Sequence, residues 1–164
     1  MRINSILLCY TNFMTKQQSL GIVDRTRTHK RIDYLYRISI KSLIRNDKEE
    51  VLVVKETGRD WWDLPGGGMD HGEDLEATIA REMKEEVNLE GSFTYRVICI
   101  DEPAYLEAHD FWQIRLIFEL KPSKMKFSAG DDGDEVRFIN PEQLKDSLSE
   151  VERRIYRYAS INVA

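Results

Sequence analysis

The sequence predicts one α/β domain of the α+β kind, a mixed β-sheet held between helices. Segments of period two recur along the chain, two segments carry helical spacing instead, and strands and helices follow one another in mixed order. With 164 residues, a single core is the default, burying roughly 70% of the surface that the unfolded chain exposes.

Residues 1–30 have no clear period and close on the basic stretch Arg25 to Arg31. They are read as an N-terminal extension, either a solvated arm or an added edge strand. The domain proper is expected over residues 31–160. Its first strand is Tyr34 to Ile44, where Tyr34, Tyr36, Ile38, Ile40 and Ser42 alternate with Leu35, Arg37, Ser39, Lys41 and Leu43. Asn46-Asp47-Lys48 supplies turn chemistry, and Val51 to Val54 is predicted to return as the second arm of a hairpin. Trp61-Trp62-Asp63-Leu64-Pro65 then runs into Gly66, Gly67 and Gly68. Glycine opens backbone dihedrals closed to other residues and leaves main-chain groups accessible, so this is a functional loop.

After Gly72 the spacing turns helical, with Asp74 as N-cap and acidic residues Glu73, Asp74 and Glu76 at the positive end of the helix dipole. The helix is predicted to run to Val87. Phe93 to Ile100 and Phe111 to Leu120 are two further strands joined by the irregular Asp101 to Asp110. Val136 to Ile139 is a short strand, Pro141 opens a helix, and Glu150 to Tyr158 is a C-terminal helix with Val151, Ile155 and Tyr158 on one face.

Composition narrows the function. Hydrophobic residues at 41% and charged residues at 32% describe a folding, soluble chain. The net charge of -5 argues against binding a nucleic acid polymer non-specifically. The apolar run Ile6 to Tyr10 stops too soon to span a membrane, and no targeting signal follows it. Cys9 and Cys99 sit in apolar settings without a CxxC pair and are expected to be reduced and buried, which fits a cytoplasmic location.

On a wheel of about 100° per residue, Ile79, Ala80, Met83 and Val87 form the core stripe, and Glu82, Glu85 and Glu86 bunch in a sector adjoining it. Three carboxylates at the edge of a buried stripe repel one another in a partly desolvated place, so the cluster is costly without a cation or bound protons. Oxygen ligands with no Cys or His nearby suit Mg²⁺, or Mn²⁺, and hence phosphate chemistry.

Gly67, Glu73, Arg81-Glu82-Met83, Glu85-Glu86 and Leu89 together resemble the Nudix box of the MutT-like hydrolases, G-x5-E-x7-R-E-U-x-E-E-x-G-U with U apolar. The flanking Leu64-Pro-Gly-Gly67 and Glu135 to Ile139 are similar to the family's segments as well. The one departure is Asn88, where the box has glycine. That position is the residue after the helix, and Asn tolerates its left-handed conformation next best after Gly.

The resemblance implies a Nudix-type mixed sheet sandwiched between helices and Mg²⁺-dependent hydrolysis of a pyrophosphate bond in a nucleoside diphosphate derivative. It assigns Gly66 (by its carbonyl), Glu82, Glu85 and Glu86 to the metal and Glu82 foremost to the base. Arg81 orients a carboxylate, with Glu73 either its partner or a ligand. Family members often add one acid from a later loop. Here Asp131 to Glu135 supplies the candidates, Glu135 first and Asp132 second. Trp61, Trp62, Gly67 and Tyr105 are the candidate substrate contacts, against the ordinary alternative of core or rim packing for the aromatics. His71 and His109 are read as exposed loop residues. A homodimer is an arrangement that the family admits. The rivals are a nucleotide-sensing module of the same fold without catalysis, and an isoprenoid diphosphate isomerase, which would need a catalytic cysteine.

Overall fold

The computed structural model describes residues 36–161. Cys9, the basic stretch 25–31 and the first two residues of the predicted Tyr34 strand lie outside them. Within these bounds the elements are β1 (Tyr36–Leu43), β2 (Val51–Glu56), α1 (Leu75–Val87), β3 (Phe93–Ile100), β4 (Ala104–Leu106), β5 (Phe111–Pro122), β6 (Gly133–Ile139) and α2 (Glu150–Ala159). Single 3-10 turns fill Glu107–His109 and Pro141–Leu144.

Two sheets form. In one, β5 is central, parallel to β1 on one side and antiparallel to β3 on the other, with β4 paired to its start. In the other, β2 and β6 are antiparallel. The predicted hairpin is therefore corrected. β1 and β2 touch through Arg45 and Val51, and through the Leu52 N–H donating to the Ile44 carbonyl at 2.9 Å, and then diverge into different sheets. Glu49, at φ 59°, takes the turn through a left-handed residue. Two-residue alternation marks a strand but does not name its neighbour.

Alternation on β1 and β5 serves two cores. Ile40 and Phe118 pack with Leu120, Leu52 and Val54 against Ile79, Met83 and Val87 of α1. The opposite face, through Leu43 and Ile117, packs with Val51, Val53, Trp62 and Leu64 against Ile155 and Tyr158 of α2. The sheets thus lie between the two helices, the mixed α+β architecture that the sequence predicts.

α1 begins and ends as its sequence dictates. The Asp74 side chain accepts from the Ala77 N–H at 2.8 Å, and Asn88 stands left-handed at φ 50°, ψ 40° with its N–H on the Met83 carbonyl. Asn88 also accepts from the Lys84 ammonium and donates to Ser128 Oγ. One member of the predicted stripe is wrong: Ala80 is exposed and Thr78 is buried instead. Thr78 is held by its hydroxyl, whose single hydrogen is shared between Glu73 and the Asp74 carbonyl, so its burial leaves no polar atom unmatched. The irregular Asp101–Asp110 also proves partly regular, because β4 pairs Ala104 to Leu106 with β5. The helix expected after Pro141 is a single 3-10 turn capped by the Asn140 side chain. Cys99 is half-buried.

Candidate functional site

The glycine segment stitches the two sheets together. Asp63 exchanges backbone hydrogen bonds with Val54 of β2, and then the Pro65 and Gly67 carbonyls accept from Ser42 and Ile40 of β1 at 2.8 Å each. Gly66 lies between at φ +124°, where a Cβ would meet the Ile40 carbonyl oxygen at 2.3 Å. No side chain fits there. At Gly67 a Cβ would fall 2.7 Å from a Glu82 carboxylate oxygen, so the bare backbone is what admits Glu82 beside the loop.

Two glutamates of α1 are buried against this loop, Glu82 at 7% and Glu86 at 5% exposure. Glu86 accepts from the Gly66 N–H at 2.8 Å. Burial pushes its pKa up to about 7, against the attraction of Lys41. Burial also raises Glu82, outweighing its contacts with Arg81. Glu85, half-buried, stands at the rim. Arg81 organises the group: Nε and Nη2 donate to the two oxygens of Glu73 at 2.8 and 3.0 Å, and Nη1 donates to Glu82 at 2.6 Å and Glu85 at 3.1 Å. Its Nη2 also reaches the Gly68 carbonyl at 3.0 Å. These bonds, Glu73 first, raise the Arg81 pKa above the ordinary arginine value. The bond from Arg81 and the Asp70 N–H hold Glu73 at about 2.

The donors fit a hard divalent cation. They are all oxygens, burial raises both buried carboxylates in spite of Arg81 and Lys41, and the Gly66 carbonyl accepts no hydrogen bond among the described residues. Among those residues no three acidic, His or Cys side chains are grouped so that they could hold one metal ion. Glu82 and Glu85 instead share Arg81, and Glu86 turns to Gly66 and Lys41.

Beside the glutamates opens a cleft of about 460 Å³. Gly66, Gly67 and Gly68 form part of its lining, and so do Arg37, Ser39 and Lys41 of β1. The β5 register sets Gln113 beside Arg37 and Arg115 beside Ser39 on the same face. α2 contributes Arg154, and the turn after β2 contributes Arg59 and Trp61. Lys41, 8% exposed, binds Asp63 at 2.9 Å and Glu56 at 3.8 Å. Burial opposes its charge, but Asp63, Glu86 and Glu56 together outweigh that and raise its pKa.

A NUDIX domain model matches residues 35–159. The chain belongs to the Nudix family. An RNA pyrophosphohydrolase of Ruthia magnifica subsp. Calyptogena magnifica is 37% identical over 87 residues, 53% of this chain and 47% of that protein. A putative 8-oxo-dGTP diphosphatase of Bacillus subtilis is 31% identical over 71 residues, 43% of this chain and 48% of that protein. The chain spans about half the length of these curated relatives. The crystal structure of the MutT protein from Methanosarcina mazei Go1 superposes with a TM-score of 0.61 at 22% identity, over 79% of this chain and 96% of that one. That likeness shows the Nudix fold.

The Nudix box residues Gly67, Glu73, Arg81, Glu82, Glu85 and Glu86 thus come together around one guanidinium and one glycine loop. Glu135 stands apart, exposed on β6 opposite Lys55. The acidic loop before it closes the C-terminal end of α1 by its backbone, with the N–H groups of Ser128, Gly130 and Asp132 donating to the carbonyls of Val87, Glu86 and Glu85. Trp61 lines the cleft, whereas Trp62 is buried in the α2-side core under the guanidinium of Arg137, 4.1 Å from its ring centroid. Tyr105 packs on Trp112 and donates to Asp110, outside the cleft lining. His109 is exposed at the cleft mouth, stacked on Phe111, and His71 is exposed on its loop. Sequence patterning did not single out Lys41, Arg37, Glu56, Asp63, Arg115 or Arg154 for the site. One signal is present: Arg37, Ser39 and Lys41 occupy alternate positions of β1, a polar face where an ordinary strand between two helices would be apolar.

Proposed function

We propose that this chain hydrolyses a pyrophosphate bond in a nucleoside diphosphate derivative, using Mg²⁺ or, in its place, Mn²⁺. The carrying observation is the pair Glu82 and Glu86, buried against Gly66 and Gly67 with their pKa values raised. The names of the two relatives, a pyrophosphohydrolase and a diphosphatase, support the same reaction.

Glu82, Glu85, Glu86 and the Gly66 carbonyl would hold the cation. When bound, it neutralises the diphosphate, polarises the scissile phosphorus and makes water a stronger nucleophile. Glu82 is the group to take the proton of the attacking water, because burial already raises its proton affinity. Arg81 fixes the Glu82 carboxylate at 2.6 Å, and Glu73 in turn fixes Arg81 through two bonds. The neighbouring cleft receives the group attached to the diphosphate, with Trp61 on its wall.

A phosphate-release screen over dNTPs, ADP-ribose, NADH, nucleotide sugars and dinucleoside polyphosphates, with and without Mg²⁺, tests the reading. Turnover that needs the metal supports it. If nothing is turned over while one compound raises the melting temperature, the chain is a nucleotide sensor.

A further inference from the structure

The cations of the cleft divide into two groups. Lys41 is neutralised by Asp63 and Glu56, and Arg59 lies 3.9 Å from Glu56. Arg37 and Arg154 make no ion pair or side-chain hydrogen bond among the described residues, although both line the cleft. Arg115 is 8% exposed. Its nearest carboxylate, Asp101, is 3.7 Å from Nη1 and already accepts from the Tyr158 hydroxyl at 2.6 Å. Burial first, and then the facing charge of Arg154, pull the Arg115 guanidinium below the ordinary arginine value. A guanidinium on the cleft wall with no side-chain hydrogen bond among the described residues and a like charge beside it favours a multivalent oxyanion between the two.

The diphosphate does not account for this. A cation held by the glutamates would balance the two phosphates of the scissile bond, and Lys41 lies between that cluster and the cleft, since it both feels Glu86 and lines the cleft. Three further guanidinium groups exceed what a diphosphate closed by a neutral sugar calls for.

We propose that Arg37, Arg115 and Arg154 form a subsite for a phosphate beyond the two of the scissile bond, so that the preferred substrates are nucleotides with three or more phosphates in a row. This rests on the hydrolase reading above. Nucleoside triphosphates and dinucleoside polyphosphates share the required chemistry, and ADP-ribose and nucleotide sugars lack it.

The test compares kcat/KM of the full chain for ATP, diadenosine tetraphosphate and ADP-ribose with Mg²⁺. A preference of roughly tenfold or more for either polyphosphate over ADP-ribose is expected, and the two polyphosphates tell a terminal phosphate from a bridging one. Arg154→Gln and Arg37→Gln, at half-buried and exposed positions that spare the core, should each reduce that preference by about fivefold. A wild-type preference for ADP-ribose, or an equal loss for all three substrates in the variants, overturns the subsite. If no substrate is hydrolysed, the hydrolase reading fails, and calorimetry on the metal-free full chain decides the subsite alone. Inorganic tripolyphosphate binding about tenfold tighter than pyrophosphate upholds it, and equal affinity overturns it.

Discussion

The two walls of this site are opposite in charge and in origin. The acidic wall comes from one helix, its glutamates spaced so that turn geometry alone sets them together beside the core stripe. The basic wall collects Arg37 and Lys41 from β1, Arg115 from β5 and Arg154 from α2, residues far apart in the chain. The first wall is organised internally, by Arg81. The second has two guanidinium groups, Arg37 and Arg154, with no ion pair among the described residues, and a third, Arg115, whose carboxylate neighbour Asp101 lies at 3.7 Å. The difference teaches what the proposed reaction would ask of each wall: the acidic one suits a cation and the basic one an anion, and one substrate would join the two.

The comparison breaks most severely at Glu82. Glu82→Gln keeps the shape and removes the proton acceptor, and turnover on the substrate found by the screen should fall by at least about a hundredfold, near 3 kcal/mol of barrier. A variant with near-normal turnover and a normal melting curve would remove Glu82 from the chemistry.

Arg81→Lys ranks next. Lysine offers three donors from a single atom and cannot hold both oxygens of Glu73 from two nitrogens while also holding Glu82 and Glu85. A loss of roughly tenfold or more in kcat is expected, together with a lower melting temperature. If Arg81→Lys matches the parent in both, Arg81 does not organise the wall.

Protonation sharpens the contrast in the metal-free chain. The Glu86 pKa rises from an ordinary 4.5 to about 7, so its ionisation disfavours the fold. Its contribution to stability is complete below about 4.5 and is lost as pH rises through about 7, a change on the order of 3 kcal/mol. Glu73 and Glu150, both held at about 2, act in the opposite sense: their contribution is present above 4.5 and is lost as pH falls towards 2. The range between pH 5 and 8 therefore reports the buried carboxylates. In EDTA the melting temperature should fall across that range, and Glu86→Gln should flatten the fall. A wild-type profile that is flat or rising would contradict the burial argument.

The smallest effect belongs to the departure from the Nudix box. Asn88→Gly relieves a left-handed Cβ but loses the contacts with Lys84 and Ser128, so stability should change by less than about 0.5 kcal/mol. Asn88→Ala, which keeps the strain and drops the contacts, should cost about 1 kcal/mol in chemical denaturation.

Most of the acidic wall is legible in the sequence. A helix fixes which residues share a side, so Asp74, Asn88 and the burial of Glu82 and Glu86 beside Met83 follow from spacing. The strands are legible as strands, because alternation is local too. Their partners are not: β1 lies beside β5, more than sixty residues away, and not beside β2. Aromatic type misleads for the same reason. Trp61 and Trp62 are neighbours in sequence, yet one lines the cleft and the other fills the core.

The sequence by itself determined the Nudix helix with its caps, the order of the main strands and the carboxylates that border the core stripe, since each depends on residues within a few turns of one another. Only the tertiary structure decided that the acidic run before Glu135 closes the end of that helix, that Lys41, Asp63 and Glu56 join the site, and that Arg37, Arg115 and Arg154 line one cleft. Those facts depend on strand register and on which helix covers which face of the sheet. Burial across many distant contacts sets both, and no local spacing encodes them.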